Sequence, residues 1–263
     1  MRRLRGHLMP QPRHCLAPSP SIGCSHLKIL FVDSATEACS AGLMCEGDII
    51  TRFELAPRAH TRLLLPMVQA VLAQAGANLS QLDLIAFGRG PGSFTGVRIA
   101  MGCAQGLALG LDLPVLGVST LATLAQAQAS AQLGGARAVI HAAIDARMGE
   151  VYHAAYGLSA DSIVQLIGLE RVLKPAALLA EWAQIGAISA EHQTAPLIAT
   201  GTGFGRYPEV ARAAPWQNVF ADALPEPRFA LALAAATPRA AWQDPTQAWP
   251  VYLRDNVAHV KAS

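Results

Sequence analysis

The amino-acid sequence predicts an α/β protein of two lobes that arose by duplication of one βββαβα unit. The chain has 263 residues, which is enough for one large domain or two small ones. Near its start, the apolar run KILFVD (28–33) is typical of a buried strand and ends in Asp33. A second apolar strand that ends in an aspartate, AVIHAAID (138–145) with Asp145, begins the same pattern again. This repetition predicts the internal duplication.

The first half is predicted to run βββαβαβ. Two strands, CSAGLM and DIITRFEL, form a hairpin through Glu46 and Gly47. The segment HTRLLLPMVQAVLAQAG has an apolar helical face and ends at Gly76, a residue type that commonly terminates helices. LDLIAFG and PVLGV are further strands, and the glycine-rich segment between them, residues 88–110, is predicted to be a loop followed by a helix.

The second half repeats this order. The strands GEVYHAAYG and SIVQLIGLERV lead into a helix at residues 175–186, and APLIATG is a further strand. We interpret TGFGRYPE as a glycine loop and RFALALAAATPRAAW as a helix that is interrupted at Pro238. The repeated unit is typical of a ribonuclease-H-like fold. Its duplication predicts the two-lobed, actin-like (ASKHA) architecture that actin and hexokinase share.

These patterns also predict the domain boundaries. Residues 28–117 form the first lobe and residues 118–250 form the second, while residues 251–263 are a C-terminal segment assigned to neither lobe. Residues 1–27 contain prolines and arginines without any periodicity. We therefore expect them to be a disordered extension, or the product of a start codon assigned too early.

Composition excludes several classes of protein. Charged residues make up 14% of the chain and the net charge is only +2, which argues against a dedicated nucleic-acid clamp. The five cysteines are odd in number and include no CxxC pair, so we expect reduced thiols rather than a disulfide framework. No apolar run approaches the ~18–20 residues of a membrane span, so no membrane partner is expected.

The loop at residues 88–96 does not match a known phosphate-binding or nucleophile motif. It lacks the lysine of a Walker loop, the third glycine of a dinucleotide fingerprint and the GxSxG pattern of a nucleophile elbow. Two interpretations stay open. Either the loop is a strand-to-helix turn capped by Ser93 or Thr95, or the start of the helix contacts an anion.

Two other segments lie where actin-like ATPases contact a nucleotide. The turn DSATE places an acid and two hydroxyls where that fold contacts metal and phosphate, and GTGFG (201–205) resembles its adenosine-side glycine turn. In the second lobe, Asp145 matches Asp33, but the hydroxyl pair is missing. The candidate nucleotide-binding residues are Asp33, Ser34, Thr36, Gly201, Gly203 and Gly205.

Several segments together resemble the TsaB (YeaZ) family. They are ILFVDSATEACSAGL, HTRLLLPMV, GRGPGSFTGVRIAMGCAQGLALGLDLPVLGVSTL, AAIDARMGEVY and PVYLR, and the resemblance extends from Lys28 to about Asn256. It implies a cytoplasmic subunit for the biosynthesis of threonylcarbamoyladenosine at position 37 of tRNAs that read ANN codons. The implied partners are the catalytic paralogue TsaD, the ATPase TsaE and, when the chain is alone, a second copy. The resemblance further implies that tRNA is met through the complex, and that ATP or ADP is bound only there.

One departure from the catalytic paralogue predicts that the chain has no activity of its own. The paralogue follows the strand that matches PVLGV with HHxEGH, whose histidines bind a metal. Here Ser119, Thr120 and Leu124 stand at those positions, so we expect neither a metal site nor catalytic residues. The alternatives are a self-sufficient ATP-binding enzyme of the same fold, such as a sugar kinase, and a glycoprotease-like metallopeptidase.

The helix after the loop carries Gly102, Gly106 and Gly110 at intervals of one turn. Each glycine costs a helix roughly 0.5–1 kcal/mol relative to alanine, so close contacts are expected to offset the cost. The closely packed neighbour is either another part of this chain or a partner protein. The candidate partner interface on this helix and on the helix at residues 60–75 comprises Leu64, Met67, Val71, Met101, Gly102, Gln105, Gly106 and Gly110.

Overall fold

A computed structural model describes residues 27–132, 138–158, 162–184 and 195–254. The predicted N-terminal extension therefore lies outside the described residues, apart from Leu27. The same holds for residues 255–263 of the predicted C-terminal segment.

A five-stranded sheet forms the centre of the first lobe. Its strands are β1 (Ile29–Asp33), β2 (Ala38–Cys45), β3 (Asp48–Leu55), β4 (Leu84–Gly90) and β5 (Val115–Ser119). They lie in the order β3-β2-β1-β4-β5, and β1 pairs antiparallel with β2 and parallel with β4. Helices α1 (His60–Ala75) and α2 (Phe94–Leu111) cover one face of this sheet with a single apolar core.

The second lobe is built around another five-stranded sheet. Its elements are α3 (Thr120–Gln132), β6 (Val139–Arg147), β7 (Glu150–Leu158), β8 (Val164–Leu173), α4 (Pro175–Gln184), β9 (Leu197–Thr200), α5 (Thr202–Arg206), α6 (Pro208–Arg212) and β10 (Asn218–Phe220). The strand order is β10-β9-β6-β7-β8, with β6 antiparallel to β7 and parallel to β9.

The two sheets share one topology, which confirms the predicted duplication. When β1 is matched with β6, β2 with β7, β3 with β8, β4 with β9 and β5 with β10, both sheets have the same strand order and the same pairing directions. In both lobes an aspartate lies near the end of the central strand, before the antiparallel return: Asp33 is the last residue of β1, and Asp145 lies two residues before the end of β6. The fold is the two-lobed, actin-like α/β architecture.

The last helix returns to the first lobe. Helix α7 (Pro227–Ala236) packs Ala230, Leu231 and Ala234 against the face of the first sheet that α1 and α2 leave uncovered. This helix lies within residues 118–250, the range that the sequence assigns to the second lobe. The central strands of this sheet are apolar on both faces, so each face needs a cover, and α7 covers the second one.

The segment after α7 joins the two lobes. Gln243 pairs with Val115 at the edge of the first sheet, and the backbone N–H of Val251 donates to the carbonyl oxygen of Arg89 at 2.9 Å. Three residues later, the guanidinium of Arg254 binds the carboxylate of Glu150 in the second lobe. The C-terminal segment therefore contacts both lobes.

Helix α2 corrects one expectation about membranes. Its 18 residues are long and apolar enough to cross a membrane by length and composition, although no such run was expected from the sequence. Gly96, Val97, Ala100, Ala104 and Ala108 form its buried face, which packs against the first sheet as in a core helix of a globular lobe. Its opposite face is exposed, so the apolar residues of this helix lie partly in the core and partly at the surface.

Candidate functional site

A cavity of about 530 Å³ lies between the lobes. The turn between β1 and β2 and the start of α2 line it from the first lobe. The turn between β6 and β7 lines it from the second lobe, and the C-terminal segment closes one side. In actin-like enzymes a nucleotide would occupy such a cleft, so the placement of the candidate nucleotide-binding residues decides how well the cavity fits one.

The polar side chains of the first turn point into the protein. Asp33 is buried, its carboxylate accepts a hydrogen bond from the backbone N–H of Ala35 at 2.9 Å, and desolvation raises its pKa to about 6. Ser34 is fully buried and its hydroxyl donates to the carbonyl oxygen of Gly96 at 2.8 Å. The Thr36 hydroxyl accepts from the N–H of Ala38. These groups therefore hold the turn and leave few free ligands for a phosphate.

The turn also occupies the space in front of helix α2. The N–H of Ser93 donates to the carbonyl oxygen of Ala35 at 2.7 Å, and the Ser93 hydroxyl accepts from the N–H of Gly96. A Cβ on Gly92 or Gly96 would overlap the backbone of the turn. Ser93 is the N-cap of the helix, which confirms the capping interpretation, and the protein itself supplies acceptors to these first-turn N–H groups.

The glycines of the second lobe serve close packing. The segment interpreted as a glycine loop instead contains helix α5, because Gly201 adopts φ 106° and brings the helix directly onto β6. A Cβ on Gly201 would overlap the carbonyl oxygen of Ala143, and one on Gly203 would lie 2.9 Å from the carbonyl carbon of Ala143. Gly205 is exposed, and an added Cβ there would lie 2.9 Å from the carbonyl oxygen of Ala221.

Of the candidate nucleotide-binding residues, only Thr36 lines the cavity. The structure does not bring Asp33, Ser34 and the glycines of GTGFG together around it. Asp145, the matching acid of the second lobe, does line the cavity, but its carboxylate is used by the backbone N–H and the guanidinium of Arg147.

The cationic lining of this cavity was not predicted from the sequence. Arg58, Arg147 and Arg254 all contribute to its walls. The Arg147 guanidinium reaches across the cleft and binds the Glu37 carboxylate at 2.9 Å. The consecutive positive φ angles of Arg147, Met148 and Gly149 turn the chain towards the first lobe, and the sequence offers no signal for that geometry beyond the single glycine.

The positions that match the metal ligands of the catalytic paralogue do not fit a metal. The Ser119 hydroxyl accepts from the N–H of Ala122, as an N-cap of α3 would, and donates to Glu170. Leu124 is in the core of the second lobe and offers no donor atom. Thr120 is buried, and no partner to its hydroxyl is found within the described residues. A hydroxyl, a capping serine and a leucine are a poor set of donors for a catalytic metal.

The histidines among the described residues do not supply an alternative set of ligands. His141 and His153 are buried and meet across β6 and β7, with 3.0 Å between Nδ1 of His141 and Nε2 of His153. No cluster of three or more histidine, cysteine, aspartate or glutamate side chains suited to a metal occurs among the described residues.

Part of the candidate partner interface lies in the core. Leu64, Met67 and Val71 are 2%, 8% and 0% exposed, and they pack against the sheet of their own lobe. These three side chains are therefore unavailable to a partner, which corrects the expectation from the sequence. The apolar face of α1 is an inner face, because the sheet beneath it needs a cover.

Of the candidate interface residues on α2, some are exposed to solvent and some contact the rest of the protein. Gly102, Gly106 and Gly110 are exposed, and a Cβ added to any of them would meet no atom within 4 Å. Nothing in the described part of the chain packs against this stripe, so no closely packed neighbour among those residues explains the glycines. Met101 is half-buried against the core, and the Gln105 amide donates to the carbonyl oxygens of Pro245 and Ala248 at 2.7 and 3.0 Å.

Comparison with known proteins places this architecture in a family. The family described as "TsaD: tRNA N6-adenosine threonylcarbamoyltransferase" matches residues 53–262. The tRNA threonylcarbamoyladenosine biosynthesis protein TsaB of Escherichia coli (strain K12) is 45% identical over 186 residues, which are 71% of this chain and 76% of that protein. The TsaB protein of Haemophilus influenzae is 54% identical over 127 residues, which are 48% of this chain and 52% of that protein.

Solved structures agree with the sequence relatives. The crystal structure of a Pseudomonas aeruginosa protein described as similar to peptidase YEAZ has a TM-score of 0.76 at 43% identity, over 87% of this chain and 100% of that one. YeaZ from Pseudomonas aeruginosa has a TM-score of 0.74 at 42% identity, over 86% of this chain and 100% of that one. The sequence matches, the shared architecture and the departures at the metal positions lead to one assignment: the chain belongs to the TsaB (YeaZ) family.

Proposed function

We propose that this chain is a non-catalytic subunit for threonylcarbamoyladenosine biosynthesis. It pairs with TsaD, and with the ATPase TsaE, for transfer of the threonylcarbamoyl group to the adenosine at position 37 of tRNAs that read ANN codons. The names of the TsaB relatives support the pathway. One observation supports the non-catalytic role: Ser119, Thr120 and Leu124 replace the metal ligands of the paralogue. Ser119 caps α3, Thr120 is buried, and Leu124 packs in the core of the second lobe.

The two alternative functions are less well supported. A metallopeptidase needs several strong donors around one metal, and the described residues that match the ligand positions do not supply them. A sugar kinase of this fold needs free carboxylate and hydroxyl groups at the phosphates. Here the carboxylate of Asp33 and the hydroxyl of Ser34 are buried and hydrogen-bonded to their own lobe. We therefore expect no tightly bound cofactor in the isolated chain, and ATP or ADP only in the complex.

The partner surface is proposed to be the exposed stripe of α2. Gly102, Gly106 and Gly110 leave room for the backbone of another helix, and Leu109 beside them is 60% exposed. Leaving an apolar side chain and three glycines in water has no benefit for the isolated lobe, since alanine would stabilise the helix. A helix of TsaD, or of a second copy when the chain is alone, fits this stripe. The complex is expected in the cytoplasm, where tRNA is bound mainly by the assembly.

The decisive experiment mixes the purified full chain with its cognate TsaD. Size-exclusion chromatography with light scattering is expected to show a new complex, and threonylcarbamoyl transfer to tRNA is expected only when TsaD is present. Transfer by this chain alone, from a preparation free of TsaD, would contradict the non-catalytic role.

The surface is tested by Gly102→Leu. The added side chain would enter the space reserved for a partner, and overpacking of about 1–3 kcal/mol corresponds to roughly 5- to 150-fold weaker pairing. The melting temperature of the isolated chain is expected to hold, because no atom of the described residues lies within 4 Å of a Cβ added at Gly102. Ala177→Leu, at an exposed position of α4, is the matched control that adds a similar side chain to the other lobe. A stable Gly102→Leu variant that pairs normally would remove the stripe from the interface.

A further inference from the structure

We infer that an aromatic and cationic cluster at the mouth of the interlobe cavity binds an unpaired, single-stranded segment of RNA. The cluster consists of Phe94, Arg98 and Tyr252. Arg58 lines the same cavity, and the exposed Trp249 precedes Tyr252 in the C-terminal segment. The inference deepens the proposed function and rests on it, because tRNA is the substrate of the proposed complex. It adds a direct contact between this chain and that substrate.

The geometry brings residues from distant parts of the chain together. The Arg98 guanidinium carbon lies 3.4 Å from the centroid of the Phe94 ring and 5.2 Å from that of Tyr252. The two rings are 5.6 Å apart and tilted by 40°. Phe94 and Tyr252 both line the cavity, and the Arg98 guanidinium lies over the Phe94 ring and near the Tyr252 ring. One helix and the C-terminal segment build this cluster jointly.

The rings are exposed to a degree that is unusual for aromatic side chains. Phe94 is 47% exposed, Tyr252 is 44% exposed and Trp249 is 71% exposed. The neighbours of these rings in the C-terminal segment, Ala248 and Pro250, are buried, so the segment is anchored while it directs its rings outwards. Aromatic surface held in water by a fixed backbone is available for stacking without a large ordering cost.

The charges around the cavity leave an excess of cations. Glu37 and Asp145 both bind Arg147, and Glu150 binds Arg254. Two further arginines, Arg58 on the cavity wall and Arg98 at its edge, have no carboxylate partner among the described residues. An uncompensated positive rim attracts a polyanion.

Nucleic-acid chemistry matches both properties at once. Unpaired bases stack on aromatic side chains and on arginine planes, and the phosphates between them need cations at short intervals. The cavity has the volume of a small-molecule pocket, so it has room for a base that leaves the stack. An acidic protein, as the alternative ligand, would bind the arginines but would not account for the exposed aromatic rings beside them.

The test uses the full chain, alone and with its cognate TsaD. The probe is a fluorescently labelled anticodon stem–loop of a tRNA that reads an ANN codon, and binding is followed by anisotropy. Tyr252→Ala and Trp249→Ala are each expected to weaken binding about 5- to 150-fold, the range for loss of one stacked base. Tyr252→Phe, which keeps the ring, is expected to bind like the wild type. Arg98→Gln is expected to reduce the slope of the logarithm of RNA affinity against the logarithm of salt concentration by about one, as for the loss of one phosphate contact.

Matched controls remove an exposed ring and an exposed arginine elsewhere. Phe53→Ala on β3 and Arg212→Gln on α6 are expected to leave RNA binding unchanged. Melting temperatures and pairing with TsaD, measured by size-exclusion chromatography, are expected to be those of the wild type for every variant.

Two results would overturn the inference. One is RNA affinity that is the same for Tyr252→Ala, Trp249→Ala and the wild type, both in the free chain and in the complex. The other is loss of TsaD pairing in these variants with unchanged RNA binding by the free chain, which would make the cluster a protein interface. If the wild type fails to pair with TsaD, the proposed function fails, while the anisotropy of the free chain still decides the RNA site.

Discussion

At the residue scale, Asp33 shows how a candidate ligand becomes a structural residue. Asp33 is 3% exposed and its carboxylate accepts a hydrogen bond from the N–H of Ala35. The α-carbon of Gly88 packs so closely that a Cβ there would overlap this carboxylate. Desolvation outweighs the backbone hydrogen bonds and raises the pKa of Asp33 to about 6. An acid whose pKa is higher in the folded state stabilises the fold at low pH and loses that contribution as pH rises.

Asp33→Asn is therefore expected to flatten the pH dependence of stability between about pH 4 and 6. At about pH 8 the variant should be more stable than the wild type, by at most roughly 3 kcal/mol, because two pKa units correspond to that energy. Urea unfolding at a series of pH values measures this. A variant that is less stable at high pH would show that the ionised carboxylate is required by the fold.

The buried histidine pair gives a prediction of the opposite sign. Burial lowers the pKa of His141 to about 4, and burial with the neighbouring His141 and Arg171 lowers the pKa of His153 well below its usual value. Both rings titrate near 6.5 in the unfolded chain, so stability should fall as pH drops from about 6.5 towards 4. Each proton taken up on unfolding contributes about 1.4 kcal/mol per pH unit.

The Asp33→Asn background removes the opposing contribution of that carboxylate from the measurement. In that background, the double variant His141→Phe/His153→Phe should lose much of the decline in stability below pH 6.5, as measured by urea unfolding. An unchanged slope would show that these histidines are not the groups that take up protons.

At the scale of the element, helix α2 uses glycine for two different reasons. On its inner side, Gly96 lets the helix touch the backbone of the β1–β2 turn, where a methyl group would overlap the carbonyl oxygen of Ser34. On its outer side, Gly102 has open space around it. The same residue type therefore serves packing within the lobe at one position and leaves room for a partner at the other.

Alanine substitutions separate these two reasons. Gly96→Ala is expected to destabilise the chain by about 1–3 kcal/mol or more, because backbone has to move. Gly102→Ala should stabilise it by about 0.5–1 kcal/mol, the difference in helix propensity. Urea unfolding at low protein concentration, where pairing is weak, provides both values. A Gly102→Ala variant that is less stable would mean that some part of the chain packs on the stripe.

At the scale of the whole molecule, a buried ionic cluster fixes the two lobes relative to each other. Glu170 on β8 accepts from the hydroxyls of Ser119 and Tyr156, and its other oxygen lies 3.0 Å from Nη1 of Arg89 on β4. Its side chain is only 7% exposed, while that of Arg89 is 26% exposed. Burial and the nearby Glu170 carboxylate raise the pKa of Tyr156 well above its usual value, so its hydroxyl stays protonated and donates.

Glu170→Ala is expected to destabilise the chain by roughly 3 kcal/mol, because it leaves the Arg89 guanidinium without its carboxylate and removes the acceptor of the Ser119 and Tyr156 hydroxyls at the lobe junction. Faster hydrogen exchange in β5 and β8 should accompany the lower melting temperature. Glu226→Ala is the control, since its ion pair with Arg228 is exposed on both sides and should contribute about 0–1 kcal/mol. Equal effects of the two substitutions would contradict a role for the cluster in joining the lobes.

The sequence by itself determined the duplicated topology and most of its elements. Alternation and apolar runs report the local environment of each strand, and Gly76 and Pro238 mark where helices end, so the strands β1 to β9 and the helices α1, α2, α4 and α7 could be predicted. The three-residue strand β10 was not predicted, because so short a segment has no periodicity of its own. Which residues stand at the positions of the paralogue's metal ligands, Ser119, Thr120 and Leu124, is also readable from the sequence alone, because it depends on residue identity and not on packing.

Only the tertiary structure decided which faces are free and which residues meet. Periodicity identified the apolar face of α1 but not what covers it, and the sheet of its own lobe turned out to bury Leu64 and Val71. The return of α7 to the first sheet, the Arg89–Glu170 contact and the approach of Tyr252 to Arg98 join residues that are far apart in the chain. Such contacts depend on how complete lobes pack in space, and local patterns of apolar and polar residues carry no information about them.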